Sequence, residues 1–406
     1  MSLNDTPRAN RLHIGIFGST NSGKSSLINA LTGQDTALVS EIAGTTTDPV
    51  YKSMEIHGIG PCVFIDTAGF DDTGSLGAMR IERTREAMKK TDIALMVFST
   101  APDATELAWV KDLSEDKIPV IPVLNLRTDQ TVCPKDPTLS QEAVVKAIQE
   151  GTGIEPVIVN AKTAEGIPAL RQAIIRALPS DYEAQSITGN LAKQGDVVLL
   201  VMPQDIQAPK GRLILPQVQT IRELLDKKCS VLSCTTDMLE PTLAVLKDAP
   251  DLIITDSQVF KTVYEKKPEK SRLTSFSVLF AGYKGDIDYF AESVRAIDAL
   301  TPTSKVLIAE ACTHAPLAED IGREKIPAML RKKIGPALTV DVVSGPDFPK
   351  DLSPYDLIIH CGACMFNRKY VLSRIEEAKA FHVPMTNYGI TIAYLSGILD
   401  KIDLKA

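Results

Sequence analysis

The run Gly18-Ser-Thr-Asn-Ser-Gly-Lys24-Ser25 has the spacing G-x-x-x-x-G-K-[ST], which is suited to holding a phosphate. Gly18 and Gly23 let successive backbone N–H groups turn inward, and a helix starting behind them adds partial positive charge. Asn21, Ser22, Gly23, Lys24, Ser25 and Ser26 are the candidate contacts. Lys24 reaches the β/γ-phosphates of a nucleotide, and Ser25 offers a hydroxyl to Mg²⁺. Farther on stands Asp66-Thr-Ala-Gly69. Asp66 is placed to orient Mg²⁺ through water, and Gly69 to give its N–H to the γ-phosphate. One threonine of Gly44-Thr45-Thr46-Thr47-Asp48 completes the Mg²⁺ shell, with Thr45 and Thr46 the candidates. That contact lasts only while the γ-phosphate is present, which orders a loop before hydrolysis and frees it afterwards.

A second reactive group lies toward the C-terminus, in Cys312-Thr-His314 and His360-Cys361-Gly-Ala-Cys364. Each follows an apolar strand-like run. In an open parallel sheet the carboxyl ends of the strands face one edge, where ligands bind, so the two motifs can meet. Cys361 and Cys364 could form a redox pair, and four ligands could close around zinc. Three thiolates, from Cys312, Cys361 and Cys364, suit an iron–sulfur cluster that keeps one iron open. In extended chain His314 points the same way as Cys312. His360 points away from Cys361, which favours a structural role over a ligand role.

The elements that must position these groups are legible in part. An apolar strand, Leu12–Phe17, precedes the glycine-rich run, and a helix over 25–31 follows it. Strands are expected at 50–56, 62–65 and 120–124, with a closing helix at 166–177 and a polar linker over 178–196. Strand and helix then alternate. Strands are expected at 197–202, 230–235, 252–255, 274–280, 305–309, 338–343 and 357–359, with a charged break at 265–270. Helices are expected at 216–228, 239–247, 257–266, 287–299, 320–333, 368–381 and 390–402. Alternation of this kind predicts parallel sheet with crossover helices. The sequence contains no exact repeat, and Cys229 and Cys234 read as core thiols.

At 406 residues the chain exceeds one ordinary core, and 44% apolar with 23% charged residues describes a globular protein. A net charge of −7 gives no global attraction for nucleic acid or an anionic membrane. The N-terminal residues lack the apolar core of a signal peptide, and no apolar run is long enough to span a bilayer. The expected location is cytoplasmic, where seven cysteines argue for thiols and a metal site over disulfides.

From residue 12 to about 177 the motifs resemble the TrmE–Era family of GTPases, with G-T-T-x-D and D-T-A-G in its two switches. In that family an asparagine at the position of Asn21 implies K⁺ beside the phosphates, so Asn21, Lys24, Thr46 and Asp66 are the implied catalytic residues. Phe70 stands where a classical GTPase has glutamine, which implies slow turnover or help from K⁺. The guanine-reading N-K-x-D is altered to Asn125-Leu-Arg-Thr-Asp129. Asn125 is in place, the lysine is Leu126, and the aspartate is replaced by Thr128 or displaced to Asp129. Asn160-Ala161-Lys162 matches the weaker S-A-K motif, and GTP is the favoured nucleotide.

The C-terminal pattern C-x-H…H-C-x-x-C behind such a domain is similar to the maturation GTPases of iron-only (FeFe) hydrogenases. Residues 205–212 share that likeness. The resemblance implies an α/β chain: a P-loop GTPase domain (1–180) followed by two smaller α/β domains with largely parallel sheets. These are a dimerisation domain (181–268) and a 4Fe–4S domain (269–406), with Cys312, Cys361, Cys364, His314 and His360 as the candidate metal set. It implies a homodimer that binds GTP, Mg²⁺, K⁺ and a 4Fe–4S cluster, and that assembles or carries the two-iron subcluster precursor. Radical-SAM maturases and apo FeFe-hydrogenase are the implied partners, with no nucleic acid or membrane. The competing reading is an RNA- or ribosome-associated GTPase with a zinc-stabilised C-terminal domain. An acidic chain with 5% aromatics and no basic stripe speaks against it. A third reading is a thiol redox module regulated by the GTPase.

Overall fold

The computed structural model describes residues 11–32, 50–56, 60–69, 77–126, 140–178, 186–203, 213–310, 321–345, 347–363 and 366–404. The chain divides into two compact units, Met1–Tyr182 and Glu183–Ala406.

The first unit contains β1 (Leu12–Phe17), α1 (Lys24–Thr32), β2 (Val50–Ile56), β3 (Gly60–Asp66), α2 (Gly77–Met88) and β4 (Ile93–Phe98). There follow α3 (Ala104–Glu115), β5 (Val120–Asn125), α4 (Gln141–Thr152), β6 (Val157–Val159) and α5 (Ile167–Arg176). The sheet order is β2-β3-β1-β4-β5-β6, with β2 antiparallel to β3 and every other pair parallel. Both faces are buried, so the strands read as continuous apolar runs that divide by parity. Ile93, Leu95 and Val97 of β4 join Leu27, Leu31, Leu170 and Ile174 on one face. Ala94, Met96 and Phe98 join Trp109, Leu113, Val144 and Ile148 on the other.

The second unit holds two four-stranded parallel sheets. The first comprises β7 (Val197–Val201), α6 (Leu215–Asp226), β8 (Ser230–Cys234), α7 (Leu239–Ala244), β9 (Leu252–Thr255), α8 (Phe260–Lys266), β10 (Arg272–Ser275) and α9 (Phe276–Lys284). After α10 (Ile287–Ser293), the other comprises β11 (Lys305–Glu310), α11 (Ile326–Ile334), β12 (Thr339–Ser344), β13 (Leu357–His360), α12 (Arg368–Ala380), β14 (Met385–Asn387) and α13 (Tyr388–Leu395). Their orders, β8-β7-β9-β10 and β12-β11-β13-β14, are the same topology. The likeness extends to single contacts. Asp251 and Asp356 each open an Asp-Leu-Ile-Ile run, and each accepts at 2.8 Å from the first N–H of the neighbouring strand, Val197 and Lys305. Ser275 and Asn387 each cap the helix behind the last strand. Those helices meet at matching positions, where a Cβ on Gly389 would fall 2.5 Å from the Ser277 Cβ. Leu199, Val201 and Ile253 of the first sheet share one core with Val306, Ile308 and Ile358 of the second.

Several expectations are corrected. The run 274–280 is not one strand: β10 ends at Ser275, whose side chain caps α9 by accepting from Val278 N–H. Beta10 pairs with β9, so the charged stretch 265–270 is the end of α8 and the turn leading into β10 within the first of these sheets, not a break before the second. A short apolar run cannot be assigned to strand or buried helix by periodicity alone. Part of the expected linker is also packed. Glu223 accepts from Ser186, Ile187 and Thr188, while Ile187, Leu191 and Ala192 enter a core. The matched architecture of the two sheets is a structural repeat without an exact sequence repeat.

Candidate nucleotide site and thiolate site

The phosphate loop connects β1 to α1 at the carboxyl edge of the first sheet. Asn21 (φ 62) and Gly23 (φ 91) take left-handed backbone, which turns the N–H groups inward. A Cβ on Gly23 would sit 2.1 Å from Asn125 Nδ2, so only glycine fits there. Buried Lys24 arches over the loop, donating to the Gly18 and Ser19 carbonyls at 2.8 Å each. Ser25 Oγ donates to Asp66 Oδ2 at 2.8 Å, which brings the two candidate Mg²⁺ groups together across 41 residues. Burial pushes the Asp66 carboxyl up, against the Ser25 hydrogen bond and the Lys24 and Lys52 charges. Gly69 lies against Thr20 of the loop. Buried Ser22 has no partner for its hydroxyl among the described residues, whereas Ser26 is half-buried.

Asn125 is a brace as well as a motif residue. Its Nδ2 donates to the Ser22 carbonyl and its Oδ1 accepts from Ala161 N–H, both at 3.1 Å. Exposed Lys162 follows in a turn whose N–H groups donate to Asn160 Oδ1. Thr45, Thr46 and Asp129 lie outside the described residues. Glu106 escaped the sequence reading. It is buried, accepts from Ser19 Oγ at 2.5 Å, and closes a capping box with Asp103 at the start of α3. The spacing Asp-x-x-Glu signals that box, though not the bond to the loop.

In the last sheet β11 is flanked by β12 and β13, so the strand order reverses between β11 and β13. Open α/β sheets bind ligands at such a point. Ala309 lies beside His360, and Cys361 N–H donates to the Ala309 carbonyl at 3.0 Å. Half-buried Cys361 accepts at Sγ from Ala363 N–H at 3.4 Å. Ala363 takes left-handed backbone (φ 48), part of the tight turn that follows Cys361. Such a bond stabilises a thiolate, the form that binds metal. Cys312, His314 and Cys364 lie outside the described residues, and no group of three metal-binding side chains occurs among the described ones.

His360 is buried and both its ring nitrogens are engaged. Nε2 accepts from Arg374 at 2.9 Å, which leaves the proton on Nδ1 to be donated to the Cys361 carbonyl at 2.7 Å. Burial, then the Arg374 charge, push the imidazole down to about 3. In this arrangement the ring is a neutral strut behind Cys361, with both nitrogens engaged. Elsewhere burial pushes the Cys62 thiol up to about 12, and Cys229 is buried.

Three family models match the chain. Residues 288–403 match the hydrogen maturase F tetramerization domain and residues 187–285 its dimerization domain. Residues 13–126 match a 50S ribosome-binding GTPase model. The tRNA modification GTPase MnmE of Methylococcus capsulatus is 37% identical over 162 residues, 40% of this chain and 33% of that protein. GTPase Der of Wolinella succinogenes is 47% identical over 89 residues, 21% of this chain and 19% of that one. The chain thus spans about a third or less of these two relatives. A solved Aquifex aeolicus Era variant bound to GDP.AlF4- is 17% identical with a TM-score of 0.35, covering 58% of this chain and 98% of that one. The likeness to MnmE and Der covers 40% and 21% of the chain, and the GTPase model matches within the first unit, which is a GTPase domain, whereas the two maturase models together take in more than half of the sequence. The chain belongs to the hydrogen maturase F family.

Proposed function

We propose that this protein hydrolyses GTP and carries a 4Fe–4S cluster on which the two-iron subcluster precursor of FeFe-hydrogenase is assembled or from which it is delivered. The observation that carries the cluster reading is the Cys361 loop, with its N–H···S bond, at the switch point of a sheet in a maturase domain. Glu310 ends β11, two residues before Cys312, and Cys364 follows Cys361 by three. Those spans are at most about 7 and 11 Å of chain, within reach of one cluster edge. Cys312, Cys361 and Cys364 would hold the cluster, with His314 beside the open iron. A bound cluster supplies an iron whose remaining coordination position can be exchanged. His360 holds the Cys361 carbonyl, and Ala363 N–H holds its sulfur.

In the first unit Lys24 neutralises phosphate charge, and Ser25 and Asp66 would bind Mg²⁺, which offsets charge at the transferred phosphoryl group. Asn21 is the proposed K⁺ residue, with Thr45 and Thr46 the switch threonines. Asn125, Asp129, Ala161 and Lys162 would read the base. The maturase matches support an oligomer formed through the second unit. Radical-SAM maturases and apo FeFe-hydrogenase are the proposed partners, in the cytoplasm. Iron, sulfide and zinc analysis of anaerobically prepared protein tests the cluster reading, with its visible absorption. Four irons and four sulfides per chain are the expected content. Zinc in their place would transfer the argument to a closed structural site.

A further inference from the structure

Arg374 is a buried cation that nothing in the proposed function uses. It is 2% exposed, and its guanidinium donates to His360 Nε2 (2.9 Å), the Gly345 carbonyl (2.7 Å) and Tyr370 Oη (2.8 Å). Phe348 and Tyr370 lie at 4.6 and 4.5 Å from it. Its Nε is buried without a partner, and among the described residues no carboxylate pairs with it. Aromatic faces and neutral acceptors recover only part of the hydration lost by such a charge. A buried cation left without a counter-charge calls for an anion nearby.

The same chain supplies a control. In the first sheet of the second unit, Thr255 stands where His360 stands and Asp256 where Cys361 stands. Thr255 Oγ1 simply donates to the Val201 carbonyl at 3.0 Å. The helix behind it, α8, buries Phe260 and Val263 and contains no arginine. Alpha12, behind Cys361, buries Arg374 among Tyr370, Val371, Ile375 and Ala378. The cation therefore accompanies the thiols and not the shared architecture.

Building on the cluster reading above, we infer that Arg374 is the charge partner of the anionic cluster at the Cys361 loop, raising its reduction potential and holding the loop through His360. A cluster in its oxidised form with three thiolates carries one net negative charge, and one-electron reduction adds a second. A fixed positive charge favours the reduced form, and burial keeps solvent from screening it. Arg374 is a positioning residue, because it reaches the site through the imidazole and not by touching iron.

The test compares full-length wild type, Arg374→Met and Arg374→Lys, each reconstituted anaerobically with iron and sulfide and titrated with dithionite under electron paramagnetic resonance. At fixed potential the Met variant is expected to show a reduced-to-oxidised ratio about tenfold lower, which is ~59 mV for one electron. The Lys variant, keeping charge without the planar fork, is expected near the wild-type midpoint. An unmoved midpoint in Arg374→Met, or equal shifts in both variants, overturns the charge role and leaves the cluster reading intact. If Arg374→Met holds no iron, Arg374→Lys decides. Near-native potential supports the inference, and loss in both variants makes Arg374 a packing element and overturns it. A wild type without iron overturns this inference and the cluster reading together.

Discussion

Replacing Asn125 by alanine should loosen the nucleotide unit by a predictable amount. Asn125 is 7% exposed and makes two hydrogen bonds, to the Ser22 carbonyl and from Ala161 N–H. Ser22 is buried, so its carbonyl finds no water after the change, whereas half-buried Ala161 recovers some. Leaving a buried group unpaired costs roughly 1–3 kcal/mol and losing a partly exposed bond roughly 0.5–1 kcal/mol, about 1.5–4 kcal/mol in all. With a urea slope of about 2 kcal/mol/M, the midpoint should fall by about 1–2 M. Trp109 makes the measurement specific. It is the single tryptophan of the chain, buried in the first unit and 6.4 Å from the Phe17 ring, so its fluorescence reports that unit alone. GTP affinity should fall in the same variant, because the brace ends on the phosphate loop. Asn125→Asp keeps the acceptor for Ala161 but turns a carboxylate oxygen toward the Ser22 carbonyl, so it should not restore stability. A midpoint within about 0.3 M of wild type for Asn125→Ala would refute the brace, since the energy above predicts several times that shift.

Lys24→Ala should abolish GTP hydrolysis, and wild type should turn over faster in K⁺ than in Na⁺; equal rates in both salts, measured by phosphate release, would remove the role given to Asn21. With Leu126 in place of a lysine, preference for GTP over ATP should be weaker than with an intact N-K-x-D, because a site rejects the wrong base strongly only when its polar partners are complete. Competition with GTP, ATP and XTP measures this, and strong rejection of ATP unaffected by Asp129→Ala would show that other groups read guanine. Asp66 has its carboxyl pushed up by burial, so it favours folding below its unfolded value of 3.8 and loses that advantage as pH rises through its higher folded value. Asp66→Asn should therefore raise the Trp109 urea midpoint at pH 7 without Mg²⁺ while eliminating Mg²⁺-dependent hydrolysis; a lowered midpoint would contradict the burial argument.

Much of the scaffold was legible because it rests on local signals. Leu12–Phe17, Val50–Ile56 and Leu252–Thr255 are strands over the residues their apolar runs predicted. The phosphate loop and its link from Ser25 to Asp66 followed from spacing. What escaped was information held in pairing. Phe276–Lys284 is nearly all apolar and reads equally as strand or buried helix until Ser275 is seen capping it. Beta14 has three residues, too few for a period to show. The shared topology of the two sheets leaves only Asp-Leu-Ile-Ile as a verbatim trace, since a core tolerates substitution that preserves volume and pattern. Nothing in the helix pattern over 368–381 marks Arg374 as buried, and only tertiary packing places it inside.

The cluster with an exchangeable iron is tested most directly by electron paramagnetic resonance of the reduced, reconstituted full-length protein, with and without cyanide or imidazole. Paired with iron analysis of Cys312→Ala, Cys361→Ala and Cys364→Ala, it addresses ligands and open position together. The expected result is a 4Fe–4S signal that changes when the added ligand binds, most of the iron lost in each cysteine variant, and GTP hydrolysis preserved in all three. A signal unchanged by every added ligand, with iron lost on replacing His314, would mean a closed four-ligand site and would contradict the carrier function.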